Sequence, residues 1–310
     1  MLRRAASGSL AALIAVGCTQ TAAVATASPS RTPSEISRAR PARIFAEKLG
    51  SLTGLGIGPD GTIYVSSFGE QQIKRLDRQG ATISSWGRGG GGPGEFAFPA
   101  GVAVGPDGTV AVADHDNDRV QLFSATGAFL RSFGESGSAP GQLAHPVSIA
   151  IDRNGDVFVG EDHNDRIQKF DTAGRFLSSF GRSGAGDGEF SDPDGIAIDA
   201  DGMVYVSDFN HNRIQKFDRS GRFELTFGRA GTGPGEFAGP ASLAITPDGN
   251  LVVCDYTNHR LQLFDPSGKF LETIGATAGL RNPWGVGVNG TGDIFVTEYA
   301  NGRVQIFPAP

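Results

Sequence analysis

Short runs in which hydrophobic and polar residues alternate recur along most of the chain, and each run ends at glycine, asparagine or aspartate. Residues 146–181 contain four such runs, at 147–151, 156–160, 166–170 and 176–180. Asn154-Gly155 separates the first two, and such pairs readily adopt the positive φ angles of a tight hairpin turn. Alternation with period two over five residues predicts strands, so this segment predicts a four-stranded antiparallel sheet.

The same unit is repeated along the chain. Its starting prolines, Pro99, Pro146, Pro193 and Pro240, follow one another at intervals of 47 residues, and Pro283 follows after 43. A further copy begins at Leu52, which gives six copies in all. Six consecutive four-stranded units predict an all-β, six-bladed β-propeller.

The two ends of the repeat region are complementary. The sixth copy has only three strand-like runs, the last at 304–307, and residues 44–50 resemble the fourth-strand pattern of 176–181. We therefore expect a propeller domain over residues 43–310 in which the N-terminal strand completes the last blade. Ring closure of this kind removes the unpaired strand edges that promote aggregation.

Two motifs carry a family resemblance. Residues 210–217, NHNRIQKF, resemble the motif that gives NHL repeats their name, and GPGEF at 233–237 is similar to the linker typical of that family. The resemblance covers residues 43–307 and implies the six-bladed fold. It does not imply one function, because a single fold hosts many.

The first 27 residues resemble a signal peptide, with a basic start followed by an apolar stretch at 5–16. Residues 15–18, AVGC, resemble a lipobox that would end the signal at Gly17 and lipidate Cys18, whereas Ala25-Thr26-Ala27 is an alternative cleavage site. Residues 28–42 are expected to be a flexible linker. These features predict an extracytoplasmic protein, either a periplasmic or cell-envelope lipoprotein or a secreted protein, with a lipid anchor as its only membrane contact.

The net charge restricts the expected binding partners, and the cysteine content restricts the expected disulfide bonds. The formal net charge is −6, which argues against nucleic acid because phosphate binding needs a basic surface. Cys18 and Cys254 are the two cysteines, so lipidation or removal of Cys18 leaves no intramolecular disulfide. Cys254 lies in an apolar run and is expected to be a small core residue, and the protein is expected to be a monomer.

An acid and an arginine recur on either side of the loop between the second and third strands. We expect a structural ion pair in each of five blades, exposed at the hairpin mouth and contributing only about 0–1 kcal/mol. In the first blade Ser67 and Gln72 replace both charges together. The pairs are Asp114–Arg119, Glu161–Arg166, Asp208–Arg213, Asp255–Arg260 and Glu298–Arg303.

Strand direction places these loops on one face of the ring together with the connectors between blades. The residue after each repeat proline is expected to face the channel mouth, where Asp194 and Trp284 are the unusual residues. The alternatives are that such residues are packing variants and that the loop residues are polar filler. The candidate ligand-binding residues are Asp194, Trp284, His145, Phe209, His211, Tyr256, His259 and Tyr299.

A metal site is not expected from the sequence. Histidines on successive blades are rotated by about 60°, so most pairs should be too far apart to share one ion at bond lengths near 2 Å. Asp194 alone cannot supply the six to eight oxygen ligands of calcium. Neither zinc nor calcium is therefore supported as a cofactor, and no catalytic residue is assigned.

Three functions remain open. The favoured one is a scaffold that binds a protein, peptide or glycan through the loop face and channel mouth. The second is a metal-dependent lyase or a lactonase-like enzyme, although no G-x-S-x-G motif, Cys–His pair or phosphate loop is present. The third is a substrate-recruiting module similar to the NHL regions of tripartite-motif ubiquitin ligases, which the apparent signal peptide disfavours.

Overall fold

A computed structural model describes residues 42–276 and 278–309. The predicted signal peptide, Cys18 and almost all of the predicted linker lie outside the described residues. The strands are β1 (Arg43–Ala46), β2 (Leu52–Ile57), β3 (Ile63–Ser67), β4 (Gln72–Leu76), β5 (Thr82–Trp86), β6 (Pro99–Val104), β7 (Val110–Asp114), β8 (Arg119–Phe123), β9 (Phe129–Phe133), β10 (Pro146–Ile151), β11 (Val157–Glu161), β12 (Arg166–Phe170), β13 (Phe176–Phe180), β14 (Gly195–Ile198), β15 (Val204–Asp208), β16 (Arg213–Phe217), β17 (Phe223–Phe227), β18 (Pro240–Ile245), β19 (Leu251–Asp255), β20 (Arg260–Phe264), β21 (Phe270–Ile274), β22 (Pro283–Val288), β23 (Ile294–Glu298) and β24 (Arg303–Phe307).

These strands form six four-stranded antiparallel sheets arranged as the blades of a propeller. Blades 1 to 5 each use four consecutive strands, starting at β2, β6, β10, β14 and β18. The first strand of each blade contacts the first strand of the next blade, so the innermost strands surround a central channel. The predicted six-bladed fold is confirmed.

Blade 6 is closed by the N-terminal strand. Its order is β22-β23-β24-β1, and Ile44 lies opposite Gln305 in the antiparallel register. Phe45 is buried and packs edge-on against Phe295 at 5.0 Å between ring centroids. The prediction that residues near 44–49 complete the last sheet is confirmed.

The closing strand also repeats a contact found at four other blade junctions. At each of these, the aromatic residue that ends an outer strand packs against the turn glycine of the following blade, where a Cβ atom would collide with the ring. At the closure the backbone of Phe45 occupies the corresponding place against Gly80. The four other pairs are Trp86–Gly127, Phe133–Gly174, Phe180–Gly221 and Phe227–Gly268.

Apolar clusters between neighbouring blades form the core. The second strand of every blade is buried along its whole length, as β11 and β19 illustrate, because sheets cover both of its faces. Cys254 on β19 is completely buried, and it forms no disulfide with any residue that the structure describes. Within the described ranges no helix is long and apolar enough to cross a bilayer.

The repeated acid is the centre of a buried hydrogen-bond network. Glu161 is fully buried, and its Oε1 accepts hydrogen bonds from Arg166 Nε at 2.7 Å and Gln168 Nε2 at 2.9 Å. Its Oε2 accepts from Asn164 Nδ2 at 2.5 Å and from the amide of Ala144 at 2.9 Å. Both carboxylate oxygens are thus satisfied by the hairpin and by the connector that enters the blade.

The arginine extends this network to the connector. Arg166 Nη1 and Nη2 donate to the carbonyls of Ser138 and Gln142 at 2.6 and 2.9 Å. The expectation that these pairs are exposed is therefore wrong, because the connector covers the hairpin mouth and buries the acid. The same ion pair, with a fully buried acid, is present as Asp114–Arg119, Glu161–Arg166, Asp208–Arg213, Asp255–Arg260 and Glu298–Arg303.

Candidate functional site

Two repeat positions supply most of the side chains around the channel mouth, on the face that carries the hairpin loops between the second and third strands of each blade, such as the β3–β4 loop. We call this face the upper face. We call the buried acid of the repeat, which Ser67 replaces in blade 1, the hub. One of the two positions is the residue directly after the hub, and the other is the residue directly before the repeat proline. The first position holds Phe68, His115, Asp162, Phe209, Tyr256 and Tyr299. The second holds Phe98, His145, Asp192, Gly239 and Asn282.

The residue before the proline is held in an unusual backbone conformation. His145 and Phe98 have φ angles of 49° and 59°, which residues with a Cβ rarely adopt. The amide of His145 donates to Asp118 Oδ1 at 2.8 Å, and that of Phe98 donates to Gln71 Oε1 at 2.7 Å. The preceding hairpin loop therefore fixes this backbone, and non-glycine residues in this conformation concentrate at functional sites.

Six half-buried aromatic rings form a continuous array, which we call the aromatic arc. It runs through blades 4, 5, 6 and 1, and the ring centroids of contacting members lie between 4.7 and 6.2 Å apart. Trp284 lies at its centre, in contact with three other rings. The members are Phe209, Tyr256, Trp284, Tyr299, Phe68 and Phe98.

Gly239 makes room for one end of the arc. A Cβ atom at Gly239 would lie 2.7 Å from the ring of Phe209, closer than atoms can approach. Phe209 therefore occupies the space that a side chain before the repeat proline fills in other blades, and its ring centroid comes within 6.1 Å of that of Trp284. The glycine lets a blade 4 residue reach an inner-strand residue of blade 6.

Three histidines lie together at the other side of the mouth, in blades 2 and 3. The ring centroids of His115 and His145 are 4.4 Å apart, and those of His145 and His163 are 3.8 Å apart. We call these three residues, with Asp116 and Asp162, the histidine cluster. The expectation is that most histidine pairs on successive blades are far apart. His145 is the exception, because it lies in the connector between the two hairpin loops and contacts both His115 and His163.

Carboxylates surround His115. Its Nδ1 lies 2.6 Å from Asp116 Oδ1, and its Nε2 lies 3.2 Å from Asp162 Oδ2. Burial lowers the pKa of His115, but the hydrogen bonds to Asp162 and Asp116 outweigh it and raise the pKa overall. The pKa of His145 is lowered by burial and by the positive charges of His115 and His163.

Asp192 and Asp194, the carboxyl pair, adjoin the histidine cluster. Burial, and then the charge of Asp162, raise the pKa of Asp192 to about 6. Asp194 is only 6% exposed, and burial together with the charge of Asp192 raises its pKa well above the ordinary value. The interaction between the two carboxyl groups opposes the rise in the pKa of Asp192 and adds to the rise in the pKa of Asp194.

We expect Asp194→Asn to raise the free energy of unfolding by about 1–3 kcal/mol at pH 7.5, because an amide at this position carries no buried charge. The pKa of Asp194 is lower in the unfolded chain than in the native state. The carboxyl group therefore disfavours folding more and more as pH rises above its unfolded pKa. The gain should therefore be much smaller at pH 4. Urea unfolding at both pH values measures it, and an equal gain at both would contradict the raised pKa of Asp194.

The structure brings together most of the candidate binding residues. Phe209, Tyr256, Trp284 and Tyr299 are in the aromatic arc, and His145 and Asp194 lie across the mouth from it. Trp284 and Asp194 also line the central channel, which encloses about 310 Å³.

The two remaining candidates, His211 and His259, replace residues of the repeat framework. His211 Nδ1 lies 2.9 Å from the buried Asp208 Oδ1, at the position where other blades place an asparagine, such as Asn164. His259 Nδ1 accepts from the amide of Asn282 at 3.1 Å, the role that Asp118 has in blade 2. Both histidines support the backbone of the loops on the upper face.

Sequence reasoning missed Phe68, Phe98, His115, Asp162 and Asp192. The signal was the repeat register itself. All six residues directly after the hub position are half-buried at the mouth, whereas the residues one position later are exposed. Treating the four variable loop positions as equivalent concealed this difference.

Comparisons with known proteins identify the repeat and the fold. A family profile described as NHL repeat matches residues 96–123 and 280–307, and a profile described as 6-bladed beta-propeller matches residues 200–278. The chain is a six-bladed propeller of NHL repeats. No curated protein that was compared with this NHL propeller matches it in sequence.

Solved structures share the fold of this NHL propeller at low sequence identity. A virginiamycin B lyase from Staphylococcus aureus is 16% identical, with 86% of this chain and 87% of that chain covered and a TM-score of 0.61. A gluconolactonase from Xanthomonas campestris is 15% identical, with 91% and 99% covered and a TM-score of 0.67. A chain of a nidogen/laminin complex is 19% identical, with 77% and 85% covered and a TM-score of 0.62. These likenesses show the fold alone.

Proposed function

We propose that the NHL propeller binds a ligand at the mouth of its channel, between the aromatic arc and the carboxyl pair. The observation that carries this proposal is the convergence of six rings from four blades around Trp284. Large aromatic side chains that are half-buried on a rigid scaffold provide contact area at a small cost in conformational entropy.

The ligand chemistry follows from the two sides of the mouth. Aromatic faces attract flat apolar groups and cations, and Trp is the best of them for cations. The histidine cluster and carboxyl pair supply hydrogen-bond acceptors and negative charge on the opposite side. We infer a ligand with a flat apolar group joined to an organic cation, as in a basic peptide or an aromatic amine.

Trp284→Ala should weaken binding of such a ligand by about 10- to 100-fold, since truncation of a central aromatic anchor removes about 2 kcal/mol or more. The probe is phenylalanyl-arginine amide, which joins a flat ring to a cation, and isothermal titration calorimetry measures its affinity. Asp192→Asn should weaken the same probe by a smaller factor, because it removes charge but no apolar contact.

The matched control is Leu130→Ala, which removes an exposed apolar side chain from the outer strand β9, away from the mouth. Its affinity for the probe should equal that of the unaltered protein. Equal affinity in Trp284→Ala would place binding elsewhere, and failure of the unaltered protein to bind the probe would reject this ligand class. Thermal melts confirm that each variant is folded.

A metal-dependent lyase or lactonase-like enzyme is the second candidate function. The observation that favours it is that titratable groups, His115 and the carboxyl pair, face a platform that could hold a substrate. Glucono-δ-lactone and virginiamycin B, suggested by the names of the proteins that share the fold, are the first compounds to assay. Ring opening above the uncatalysed rate that is lost in Asp192→Asn would favour the enzyme, and no turnover would leave the binding function.

A further inference from the structure

We propose that the histidine cluster binds a divalent transition-metal ion, with His145, Asp162 and His163 as ligands. Zn²⁺ is the expected ion. These residues lie in the blade 2–3 connector and in the blade 3 hairpin loop. The cluster adjoins one end of the aromatic arc, where the ring centroids of Phe98 and His115 are 5.2 Å apart, but none of the three ligands belongs to the arc. The inference does not rest on the ligand-binding function proposed above.

The donor atoms are already close together. One ligand atom from each of His145, Asp162 and His163 lies within 4.8 Å of the others, and His145 Nδ1 is 3.9 Å from Asp162 Oδ1. Ligands at about 2.0–2.2 Å from a tetrahedral zinc ion are about 3.3–3.5 Å from one another. To form the site, the donor atoms must therefore approach one another by up to about 1.5 Å. The stacked rings of His145 and His163 must also turn so that their nitrogens face one point, and the ring of His163 is exposed, so it can turn at little steric cost.

The hydrogen bonding of the cluster is incomplete without an ion. Asp162 Oδ1 is buried, yet it has no hydrogen-bond partner among the described residues. Within residues 42–276 and 278–309, no ring nitrogen of His145 or His163 forms a hydrogen bond. Buried polar atoms are nearly always satisfied, so an unsatisfied carboxylate oxygen beside two free imidazoles points to a missing cation.

His115 serves as a positioning residue for this site. Its Nε2 lies 3.2 Å from Asp162 Oδ2, the oxygen that does not face His145, and Asp116 holds its Nδ1 at 2.6 Å. Outer partners of this kind orient a ligating carboxylate and are often as important as the ligands. The backbone of His145 is fixed by its hydrogen bond to Asp118, so that ligand is preorganised.

The chemistry of the ligands selects the ion. Two imidazoles and one carboxylate are a ligand set suited to zinc, copper or nickel rather than to calcium or magnesium, which prefer oxygen. Three protein ligands leave a fourth tetrahedral position for water or a ligand group.

The test uses the full chain without a polyhistidine tag, stripped of metal by a chelator and then titrated with Zn²⁺ and Co²⁺. We expect one equivalent of Zn²⁺ by calorimetry, and visible Co²⁺ absorption bands of the intensity typical of tetrahedral coordination. His145→Ala and His163→Ala should each weaken binding at least 100-fold, and the double variant should abolish the Co²⁺ bands. His115→Asn should weaken binding about 10- to 100-fold.

The chain provides matched controls in His211→Asn and His259→Asn, which replace framework histidines of other blades with a residue that the repeat uses at the same position. Both should bind Zn²⁺ as the unaltered protein does. Zn²⁺ affinity no tighter than millimolar, or equal binding by the double variant and the unaltered protein, would overturn the proposal. The Co²⁺ spectrum of the unaltered protein decides the question even if a variant fails to fold.

Discussion

Replacing Arg166 with alanine is expected to destabilise the propeller by about 3–5 kcal/mol. The substitution leaves the fully buried carboxylate of Glu161 without its charged partner and removes donors to three connector carbonyls. An uncompensated buried charge is among the most destabilising changes a point substitution can make. Urea unfolding followed by circular dichroism measures the change.

Blade 1 provides the control for this experiment, because Ser67 and Gln72 stand where the other blades have the acid and arginine. Gln72→Ala should cost less than 1 kcal/mol. Transplanting the blade 1 pair as Glu161→Ser with Arg166→Gln should be less destabilising than the sum of the two single substitutions, by about 0.5–3 kcal/mol. Additive effects would mean that the two side chains act independently and that the hub has no coupled role.

Deleting residues 43–50 is expected to lower the stability of the ring by about 4 kcal/mol or more. The deletion removes the buried side chains of Phe45 and Leu49, worth about 1.5–3 kcal/mol each, and exposes the edge of β24. For a domain of this size each kcal/mol lowers the melting temperature by about 2–4 °C, so we expect a decrease of about 10 °C or more. An unchanged melting temperature would contradict closure by the N-terminal strand.

A point substitution tests the same closure without shortening the chain. Gly80→Ala places a Cβ atom against the backbone of Phe45, whereas Gly249→Ala introduces a side chain at a similar φ angle, with no neighbour within 4 Å. Both variants incur the backbone strain of about 1–2 kcal/mol, and only the first displaces the closing strand. Gly80→Ala should therefore be clearly less stable than Gly249→Ala, and equal melting temperatures would argue against a tight junction at this position.

The two sides of the channel mouth differ in chemistry although they occupy equivalent repeat positions. Directly after the hub acid, blades 4 to 6 carry Phe209, Tyr256 and Tyr299, while blades 2 and 3 carry His115 and Asp162. The repeat framework fixes where these side chains lie, and blades with different residues at this position keep the same four-stranded fold. Function can therefore change at these positions while the propeller persists.

The sequence alone determined the architecture of this protein. The interval of 47 residues between Pro99, Pro146, Pro193 and Pro240, with four alternating runs in each unit, predicted six four-stranded blades. The missing fourth strand of the last copy and the spare strand near Phe45 predicted the closure. These features were visible because strand alternation and turn residues are local properties, and repetition makes them unmistakable.

Only the tertiary structure decided which residues meet at the mouth and what surrounds the repeated ion pairs. His115, His145 and His163 are distant in sequence, and their contact depends on how far the connector carries His145 toward the channel. The burial of Glu161 likewise depends on a connector that covers the hairpin from outside it. A repeat pattern specifies the geometry within one blade, but contacts between blades depend on the path of the linking segments, which local periodicity does not encode.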